Sequence, residues 1–212
     1  MNKNTIIVAG IGTDVGKTFI AAILTEALEA DYWKPVQAGA LDHTDSDTVH
    51  ELVSNTHTVI HPETYRLTIP ASPHYAAEKD GIKIELDNFH TPKTLRPLVI
   101  ELAGGLMVPL NEHELNIDLI HKIGAPVVLV SQNYLGSINH TLLSVDICHT
   151  HGITIAGIIF NGERTPATES VILGYTNLNC LARIEKQSTI NAQIVKRYAD
   201  ELREPLKRSL IK

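Results

Sequence analysis

The stretch of this sequence with the clearest chemical meaning is residues 10–18, which read Gly-Ile-Gly-Thr-Asp-Val-Gly-Lys-Thr. A short apolar, β-branched run at residues 5–9 precedes them. The apolar side chains of residues 19–28, which follow, recur at the spacing of one helix face. This context predicts a glycine-rich turn between a strand and a helix, which is the setting that gives a phosphate-binding motif its meaning.

The residue types in this turn suit a polyphosphate. Gly10, Gly12 and Gly16 can adopt backbone angles closed to other residues, so that main-chain amides can approach an anion. Together with the free N–H groups of the next helix they would form an anion cradle. We expect Lys17 to reach the β- and γ-phosphates and the Thr18 hydroxyl to hold Mg²⁺. The alternative, a chance glycine-rich turn, does not explain the flanking strand and helix.

A second cation of interest is Lys34. Residues 32–36 predict a strand that carries Lys34 just before a proline, and the proline stops the hydrogen-bond ladder. Strand ends in a parallel sheet face the ligand crevice at their carboxyl side. We therefore expect Lys34 to lie near the phosphate loop; the alternative is a surface lysine whose stem packs on apolar neighbours.

Carboxylates follow at two places. Asp45 and Asp47 precede a predicted helix at residues 48–53, which Asp45 or Ser46 would cap, so both acids have a purely structural alternative. Glu101 lies in a predicted strand at residues 98–102 that ends in Ala-Gly-Gly. An apolar run that closes on an acid brings that acid beside the Mg²⁺ of a phosphate loop. Because a buried, unpaired carboxylate is costly, we favour the metal role over a structural one.

The remaining periodicity completes an alternating pattern of strands and helices. Strands are predicted at 126–130, 153–160 and 175–181, a short helix near 75–79 and an amphipathic helix at 190–202. Ser137 would cap a helix running to about His149, whose N-terminus suits a carboxylate. The pattern predicts a single α/β domain over residues 1–212, with a doubly wound, mainly parallel sheet and helices on both faces.

Composition narrows the class of protein. The chain has 212 residues, 43% of them hydrophobic, enough for one well-buried domain. Its net charge of -6 comes without a block of like charge, so we expect neither nucleic acid nor a membrane as partner. The 2 cysteines are far apart, and the 11 histidines show no metal-ligand spacing. The first apolar run is too short for a signal peptide, so we expect a cytoplasmic protein with reduced thiols.

Four separated motifs, in this order, make the chain resemble the dethiobiotin synthetases, the ATP-dependent carboxylases of biotin biosynthesis. They are the glycine loop, Lys34-Pro35-Val36, Glu101 with Ala103-Gly104-Gly105 and Val108-Pro109-Leu110, and Leu135-Gly136-Ser137-Ile138-Asn139-His140. Ser72-Pro73-His74 is a fifth, weaker match. The resemblance extends to about Asn161 and fades beyond it; its most specific part is the Leu-Gly-x-Ile-Asn-His element.

The resemblance implies a reaction. CO2 adds to one amine of 7,8-diaminopelargonic acid (7,8-diaminononanoate) and gives a carbamate. ATP phosphorylates the carbamate to a mixed carbamic-phosphoric anhydride, and the second amine then closes the ureido ring with release of ADP and phosphate. Such a cyclo-ligase needs no dedicated general base, because its catalysis consists mainly of charge neutralisation and positioning.

The resemblance also implies roles for the motif residues. Lys17 and Lys34 would neutralise the γ-phosphate and the carbamate oxygens, and Thr13 would join them at the reacting groups. Mg²⁺ would be held by Thr18, Asp47 and Glu101. ATP would be bound by Gly12, Thr13, Asp14, Val15, Gly16, Lys17, Thr18 and Phe19, with Asn161 at the adenine. The diamine substrate would be bound by Lys34, Ala38 and Gly104 and, across a homodimer interface, by the backbone of Gly136, Ser137, Ile138 and Asn139 at its carboxylate.

The chain departs from the family pattern at several positions. Leu102 stands where the family more often has glycine, and Ala38 stands where a hydroxyl residue is usual. Residues 182–185, Ala-Arg-Ile-Glu, lack the Gly-x-Ile-Pro of the base-binding segment. The nucleotide base therefore stays open at this point.

Two rival classes share the loop. A ParA/MinD-like ATPase switch would make no product; such proteins carry a second lysine early in the loop, where this chain has Gly12, and often a membrane-binding tail. Here the last segment, residues 204–212, has basic and apolar side chains, Lys212 among them, but is short for that purpose. The related cobyrinate amidases need an added glutaminase domain, for which 212 residues leave no room.

Overall fold

The computed structural model describes residues 4–211. The strands are β1 (Thr5–Gly10), β2 (Asp31–Trp33), β3 (Val36–Ala38), β4 (Ile60–His61), β5 (Tyr65–Leu67), β6 (Leu98–Gly105), β7 (Val127–Gln132), β8 (Ile155–Asn161) and β9 (Cys180–Ile184). The helices are α1 (Lys17–Leu28), α2 (Asp45–Leu52), α3 (Pro73–Asp80), α4 (Asn116–Ile123), α5 (Ser137–Thr150), α6 (Pro166–Thr176) and α7 (Ala192–Leu210).

The main sheet has 7 strands in the order β4-β2-β6-β1-β7-β8-β9, and its strand pairs are parallel. In the central strand β1, Ile6 and Val8 pack with α1 and α7, whereas Ile7 and Ala9 pack in a second cluster with α4. Successive side chains of a strand point to opposite faces, so both faces of the sheet are covered. The predicted doubly wound, parallel α/β fold is confirmed.

This topology brings three motifs to one edge. Strand β6 lies between β2 and β1, with Val8 opposite Glu101 and Trp33 opposite Ile100. The phosphate loop leaves β1 after Gly10, and Lys34 directly follows β2. Because parallel strands end at the same edge, the loop, the lysine and the acid converge at the carboxyl ends of neighbouring strands.

The predicted strand at residues 32–36 is two strands. Lys34 and Pro35 interrupt it, since proline has no N–H to give to the ladder. Val36 starts β3, which leaves the main sheet and pairs with β5 in a separate parallel pair. The interruption directs Lys34 away from the ladder and toward the edge where Glu101 lies.

The C-terminal third differs most from the predicted elements. The predicted strand at 175–181 is wrong in its first part, because residues 166–176 form α6, and the strand begins only at Cys180. Thr165 followed by Pro166 is the start signal that this reading missed, since proline favours the first helical turn. Helix α7 is longer than predicted and continues through Pro205 to Leu210.

Helix α7 lies against α1. Its Leu206 and Leu210 are buried in the same cluster as the apolar residues of α1, so this part of the predicted tail packs on the protein itself. Lys212 lies outside the described residues. Across residues 4–211, every helix is too short or too polar to span a membrane.

Candidate functional site

The phosphate loop joins β1 to α1 through a backbone that only glycine fits at one point. Gly16, with φ of +85°, caps α1, and a Cβ there would lie 2.1 Å from Nδ2 of Asn161. The same amide nitrogen donates a hydrogen bond of 2.9 Å to the carbonyl of Val15. Asn161, at the end of β8, therefore fixes the shape of the loop from the neighbouring part of the sheet.

Lys17, the first residue of α1, is buried inside the loop. Its Nζ donates a hydrogen bond of 2.9 Å to the carbonyl oxygen of Gly12. Burial lowers the pKa of the Lys17 ammonium below its usual value, against the attraction of Glu101. The ammonium of Lys17 is thus held within the glycine-rich loop.

Glu101 is the centre of the second part of the site. Its side chain is 1% exposed, and three donors surround the carboxylate. Thr18 Oγ1 donates to Oε1 at 2.9 Å, Lys34 Nζ donates to the same oxygen at 3.1 Å, and the Tyr32 hydroxyl donates to Oε2 at 2.8 Å. The structure thus brings together Thr18, Lys34 and Glu101, which the sequence assigned to one site.

Tyr32 is a site residue that sequence reasoning missed. A signal was present, because Tyr32 and Lys34 are two residues apart and side chains alternate along a strand. Burial raises the pKa of the Tyr32 phenol well above its usual value, and the charge of Glu101 raises it further. The hydroxyl therefore stays protonated and serves as a donor.

Lys34 lies between two carboxylates. Besides Glu101, its ammonium contacts the carboxylate of Asp45. Burial by itself lowers the pKa of Lys34, but the charges of Glu101 and Asp45 outweigh it, and the pKa is raised. Lys34 is thus a buried cation paired with two carboxylates rather than a surface lysine.

The start of α2 differs from its prediction. Thr44, not Asp45 or Ser46, is the N-cap, and it forms a capping box with Asp47. The Asp47 carboxylate accepts hydrogen bonds from Thr44 Oγ1 at 2.7 Å and Thr44 N at 2.8 Å, which lower its pKa. Asp45, and not Asp47, is the acid of this helix that faces the cleft. The metal role of Asp47 stays a prediction.

These groups line an open cleft of about 800 Å³. Its volume lies within the range of small-molecule sites. Its lining includes Thr13, Asp14, Gly16, Lys17, Thr18, Lys34, Ala38, Asp45, Glu101 and Gly104, together with Pro70, Ala71, Ser72 and Pro73. Five residues of the loop and the predicted substrate contacts Lys34, Ala38 and Gly104 thus share one cleft.

The start of α5, predicted to take the substrate carboxylate, stands apart from this cleft. Gly136, with φ of +104°, is the N-cap, so the prediction that Ser137 caps the helix is wrong. Ser137 is fully buried, and its Oγ has no hydrogen-bond partner among residues 4–211. Neighbouring Leu135 is fully exposed. Residues 136–139 do not line the cleft of their own chain.

A second cavity, of about 390 Å³, lies on the β9 side of the loop. Its lining includes Asn133, Phe160, Gly162, Arg183, Glu185 and Tyr198. The ring of Tyr198 meets the ring of Phe19 edge to face, with centroids 6.3 Å apart, so the cavity adjoins the first turn of α1. Glu169 also lines it and accepts a hydrogen bond of 2.6 Å from Arg183 Nε.

The donor set fits Mg²⁺. A hydroxyl and a carboxylate are the hard oxygen ligands that Mg²⁺ prefers, and Thr18 Oγ1 lies 2.9 Å from Glu101 Oε1. No group of three His, Cys, Asp or Glu side chains in the described part of the chain is arranged around a common point. Few protein ligands are usual for Mg²⁺ bound beside a polyphosphate, whose oxygens and water complete the shell.

The chain is similar to several known proteins over most of its length. The profile of a family described as an AAA domain matches residues 4–193. An ATP-dependent dethiobiotin synthetase of Christiangramia forsetii is 50% identical, over 94% of this chain and 96% of that protein. Those of Cytophaga hutchinsonii and Chlamydia felis are 46% and 44% identical, each over 92% of this chain and over 95% and 92% of their own length.

Solved structures share the fold at low identity. A ParA family ATPase from Chlorobium tepidum has a TM-score of 0.57 at 12% identity and covers 99% of this chain and 94% of its own. The septum site-determining protein MinD of Pyrococcus horikoshii, complexed with Mg-ADP, has a TM-score of 0.57 at 13% identity, with coverage of 98% and 100%. At this identity the similarity concerns the fold alone.

Proposed function

Because the chain belongs to the ATP-dependent dethiobiotin synthetase family, we propose that it converts 7,8-diaminopelargonic acid, CO2 and ATP to dethiobiotin, ADP and phosphate. It is then a cyclo-ligase of biotin biosynthesis. The observation that carries the proposal is the cluster of Lys34, Glu101 and Thr18 beside the loop that holds Lys17. We further propose that residues 1–212 form one domain of this kind and act in the cytoplasm.

Charge neutralisation is the main task of the chain's own residues. The carbamate and the triphosphate are both anions, so their approach is opposed until cations lie between them. Lys17, at the start of α1, would neutralise the γ-phosphate, and Lys34, beside Glu101, would neutralise the carbamate oxygens. Thr13 and Gly104 line the same cleft. Preorganised charges of this kind stabilise a transition state without reorganisation.

The reaction balances without a protein base. The carbamate oxygen attacks the γ-phosphorus, and the bond from that phosphorus to the bridging oxygen breaks as ADP leaves. The second amine then attacks the carbamoyl carbon, phosphate leaves, and the amine gives its proton to solvent. Lys34 remains protonated beside Glu101 and Asp45, which suits it to bind an anion rather than to accept this proton.

Mg²⁺ would be held by Thr18 and Glu101 and by one acid at the start of α2, and it would neutralise phosphate charge when bound. Family pattern assigns that third position to Asp47. The cleft presents Asp45 instead, and Asp47 would have to leave its hydrogen bonds to Thr44 to join the site. We therefore propose that the third ligand is one of the two acids Asp45 and Asp47.

We propose a homodimer in which the start of α5 takes the substrate carboxylate from the neighbouring chain. Two observations support it. Residues 136–139 lie outside their own chain's cleft, and Leu135 beside them is exposed although it is large and apolar. A helix N-terminus favours a carboxylate through its free N–H groups.

We propose that the nucleotide base occupies the cavity bordered by Phe160 and Arg183. Support comes from its size, its contact with Phe19 through Tyr198, and the position of Asn161 between it and the loop. Asn161, Gly12, Asp14 and Val15 would then contact ATP from the loop side.

The test is phosphate release from Mg-ATP and bicarbonate, with and without 7,8-diaminopelargonic acid. We expect release that depends on the diamine, with dethiobiotin formed in equal amount. Steady hydrolysis that ignores the diamine would overturn the proposal in favour of an ATPase switch. If no hydrolysis is seen with ATP, the same assay with GTP and CTP decides whether the base or the reaction was misassigned.

A further inference from the structure

Tyr32 connects the second strand of the sheet to the acid of the site. Its Cα pairs with Val99 in β6, and Glu101 follows Val99 by two residues on the same face of that strand. The phenol is completely buried, and its hydroxyl donates 2.8 Å to Oε2 of Glu101. The donor therefore approaches the carboxylate from inside the protein, on the oxygen that the other donors do not use.

The three donors to Glu101 differ in what else they do. Thr18 and Lys34 both contact Oε1, and both are assigned above to ligands that enter the cleft. When they turn toward those ligands, their hydrogen bonds to Glu101 weaken or break. Tyr32 does not line the cleft, so its bond to Oε2 is the one that can persist throughout the reaction.

We propose that Tyr32 is a positioning residue that acts through Glu101, holding Oε2 so that Oε1 is aimed at Thr18 and at the metal position of the cleft. This inference rests on the proposed function, since it needs Glu101 to be a metal ligand. Hydrogen-bonded partners behind a metal ligand fix its orientation, and their loss costs about 10- to 100-fold in metal affinity or activity.

The competing explanation is that Tyr32 only fills the core. Its ring does pack in the cluster of β1 and α1, and a packing role would show as lost stability alone. Tyr32→Phe separates the two, because it keeps the ring and removes only the hydroxyl. The matched control is Trp33→Phe, which alters an equally buried side chain of the same strand in the other core cluster.

The measurement is equilibrium binding of ADP by calorimetry across a Mg²⁺ titration, with thermal unfolding followed by circular dichroism. We expect Tyr32→Phe to raise the Mg²⁺ concentration that gives half of the full ADP affinity by about tenfold or more. ADP affinity in EDTA should stay unchanged. Trp33→Phe should lower the unfolding midpoint and leave the Mg²⁺ dependence as in the wild type. A wild-type Mg²⁺ dependence in Tyr32→Phe overturns the proposal.

Glu101→Gln, alone and combined with Tyr32→Phe, tests whether Tyr32 acts through Glu101. Once Glu101 is changed, Tyr32→Phe should add less than about twofold, because coupled residues are non-additive. Additive losses overturn the proposal. If Glu101→Gln leaves the Mg²⁺ dependence unchanged, the assignment of Glu101 under the proposed function is what fails. The two failures are thereby distinguishable.

A second readout covers the case in which Tyr32→Phe does not fold. 3-Fluorotyrosine incorporated at position 32 keeps the phenol and nearly its size, and its fluorine resonance reports on the hydrogen bond. We expect this resonance to shift when Mg²⁺ is added to the ADP-loaded protein. A resonance that responds neither to Mg²⁺ nor to Glu101→Gln overturns the proposal.

Discussion

The two ends of the proposed nucleotide site hold their charges in different ways. In the cleft, the side chains of Lys34 and Glu101 are 5% and 1% exposed, and each charge has partners on several sides. At the other end, the Arg183 side chain is 42% exposed and pairs with the buried Glu169. A buried charge is costly without its partner, whereas an exposed one is screened by solvent. Substitutions in the cleft should therefore cost much activity. Substitutions in the cavity lined by Phe160 and Arg183, called the outer cavity below, should cost much less.

Lys34→Ala should have the largest effect. It leaves Glu101 and Asp45 without the cation between them, so we expect turnover to fall by about 100-fold or more. Unfolding should cost about 3–5 kcal/mol less, because a buried pair is broken. The variant should keep its fold and some nucleotide binding, since Thr18 and Tyr32 still donate to Glu101.

The matched control for that variant is Lys196→Ala, at an exposed lysine that pairs with Asp200 along α7. Its free energy of unfolding should stay within about 0.5 kcal/mol of the wild type. Dethiobiotin formation and urea unfolding are the measurements. Full activity in Lys34→Ala would show that this lysine has no part in the mechanism. The cleft would then be no more sensitive to substitution than the cavity around Arg183.

Gly16→Ala tests the backbone of the loop. Alanine at φ of +85° is strained, and its Cβ would displace Asn161 Nδ2. We expect ADP affinity to fall by about 10- to 100-fold, in line with about 1–3 kcal/mol of strain. Gly81→Ala is the control, with φ of +66° and no atom within 4 Å of the added Cβ. ADP affinity is measured by calorimetry and stability by thermal unfolding. If Gly16→Ala and Gly81→Ala changed both quantities equally, Asn161 would not constrain the loop.

Asp45→Asn and Asp47→Asn ask which acid of α2 belongs to the cleft. We expect Asp45→Asn to lower turnover by about tenfold, because it removes one charge-assisted contact to Lys34. Asp47→Asn should lower turnover less and the thermal midpoint more, because Asp47 closes the capping box with Thr44. Both variants are measured across a Mg²⁺ titration. A larger loss of turnover in Asp47→Asn than in Asp45→Asn would indicate that Asp47 is the metal ligand.

Arg183→Ala tests the outer cavity and should have a small effect. We expect KM for ATP to rise by about three- to tenfold with kcat unchanged, because removing uniform binding changes KM alone. Arg164→Ala, which also borders the cavity, is the comparison. A loss of kcat as large as that of Lys34→Ala would show that the two ends are equally constrained.

The smallest effect concerns pH. Burial raises the pKa of Glu169, but its hydrogen bonds from Arg183 and Asn133 outweigh this, and the pKa is lowered. A carboxyl pKa lowered by folding stabilises the protein above the unfolded-state value and loses that contribution as pH falls through the folded one. Arg183→Ala should thus be less stable than wild type in urea at pH 7, and the difference should shrink toward pH 3. A difference independent of pH would contradict the pairing.

Much of the fold and the centre of the site could be predicted from the sequence. The loop and Lys34 each follow an apolar strand, and Glu101 lies near the end of the strand predicted at residues 98–102. Because parallel strands end at a common edge, the local pattern was enough to bring them together. The spacing of Tyr32 and Lys34 indicated a shared strand face, but the bond from Tyr32 to Glu101 depends on the register between β2 and β6, which the local pattern does not contain. The role of Asp45 depended on where α2 begins. With Thr44 as the N-cap, Asp47 accepts the hydrogen bonds of the capping box and Asp45 faces the cleft.

The elements of the second half of the chain were also harder to predict, because the features that decide them are not contained in the local pattern. Residues 166–176 have apolar side chains on both the helical and the extended reading, and only the proline at position 166 marks the helix start. The contact between Phe19 and Tyr198 joins residues far apart in sequence. Such packing is a property of the folded chain, and no local pattern predicts it.

Trp33, the 1 tryptophan of the sequence, gives the protein an intrinsic optical probe. It precedes Lys34 directly, is 1% exposed, and donates from Nε1 to the carbonyl of Pro62 at 3.1 Å. Its emission should be that of an indole shielded from water. Because its ring belongs to the core cluster on the other face of the sheet from Tyr32, a change of emission when ligands fill the cleft would report a movement transmitted through the strand itself, with no label added.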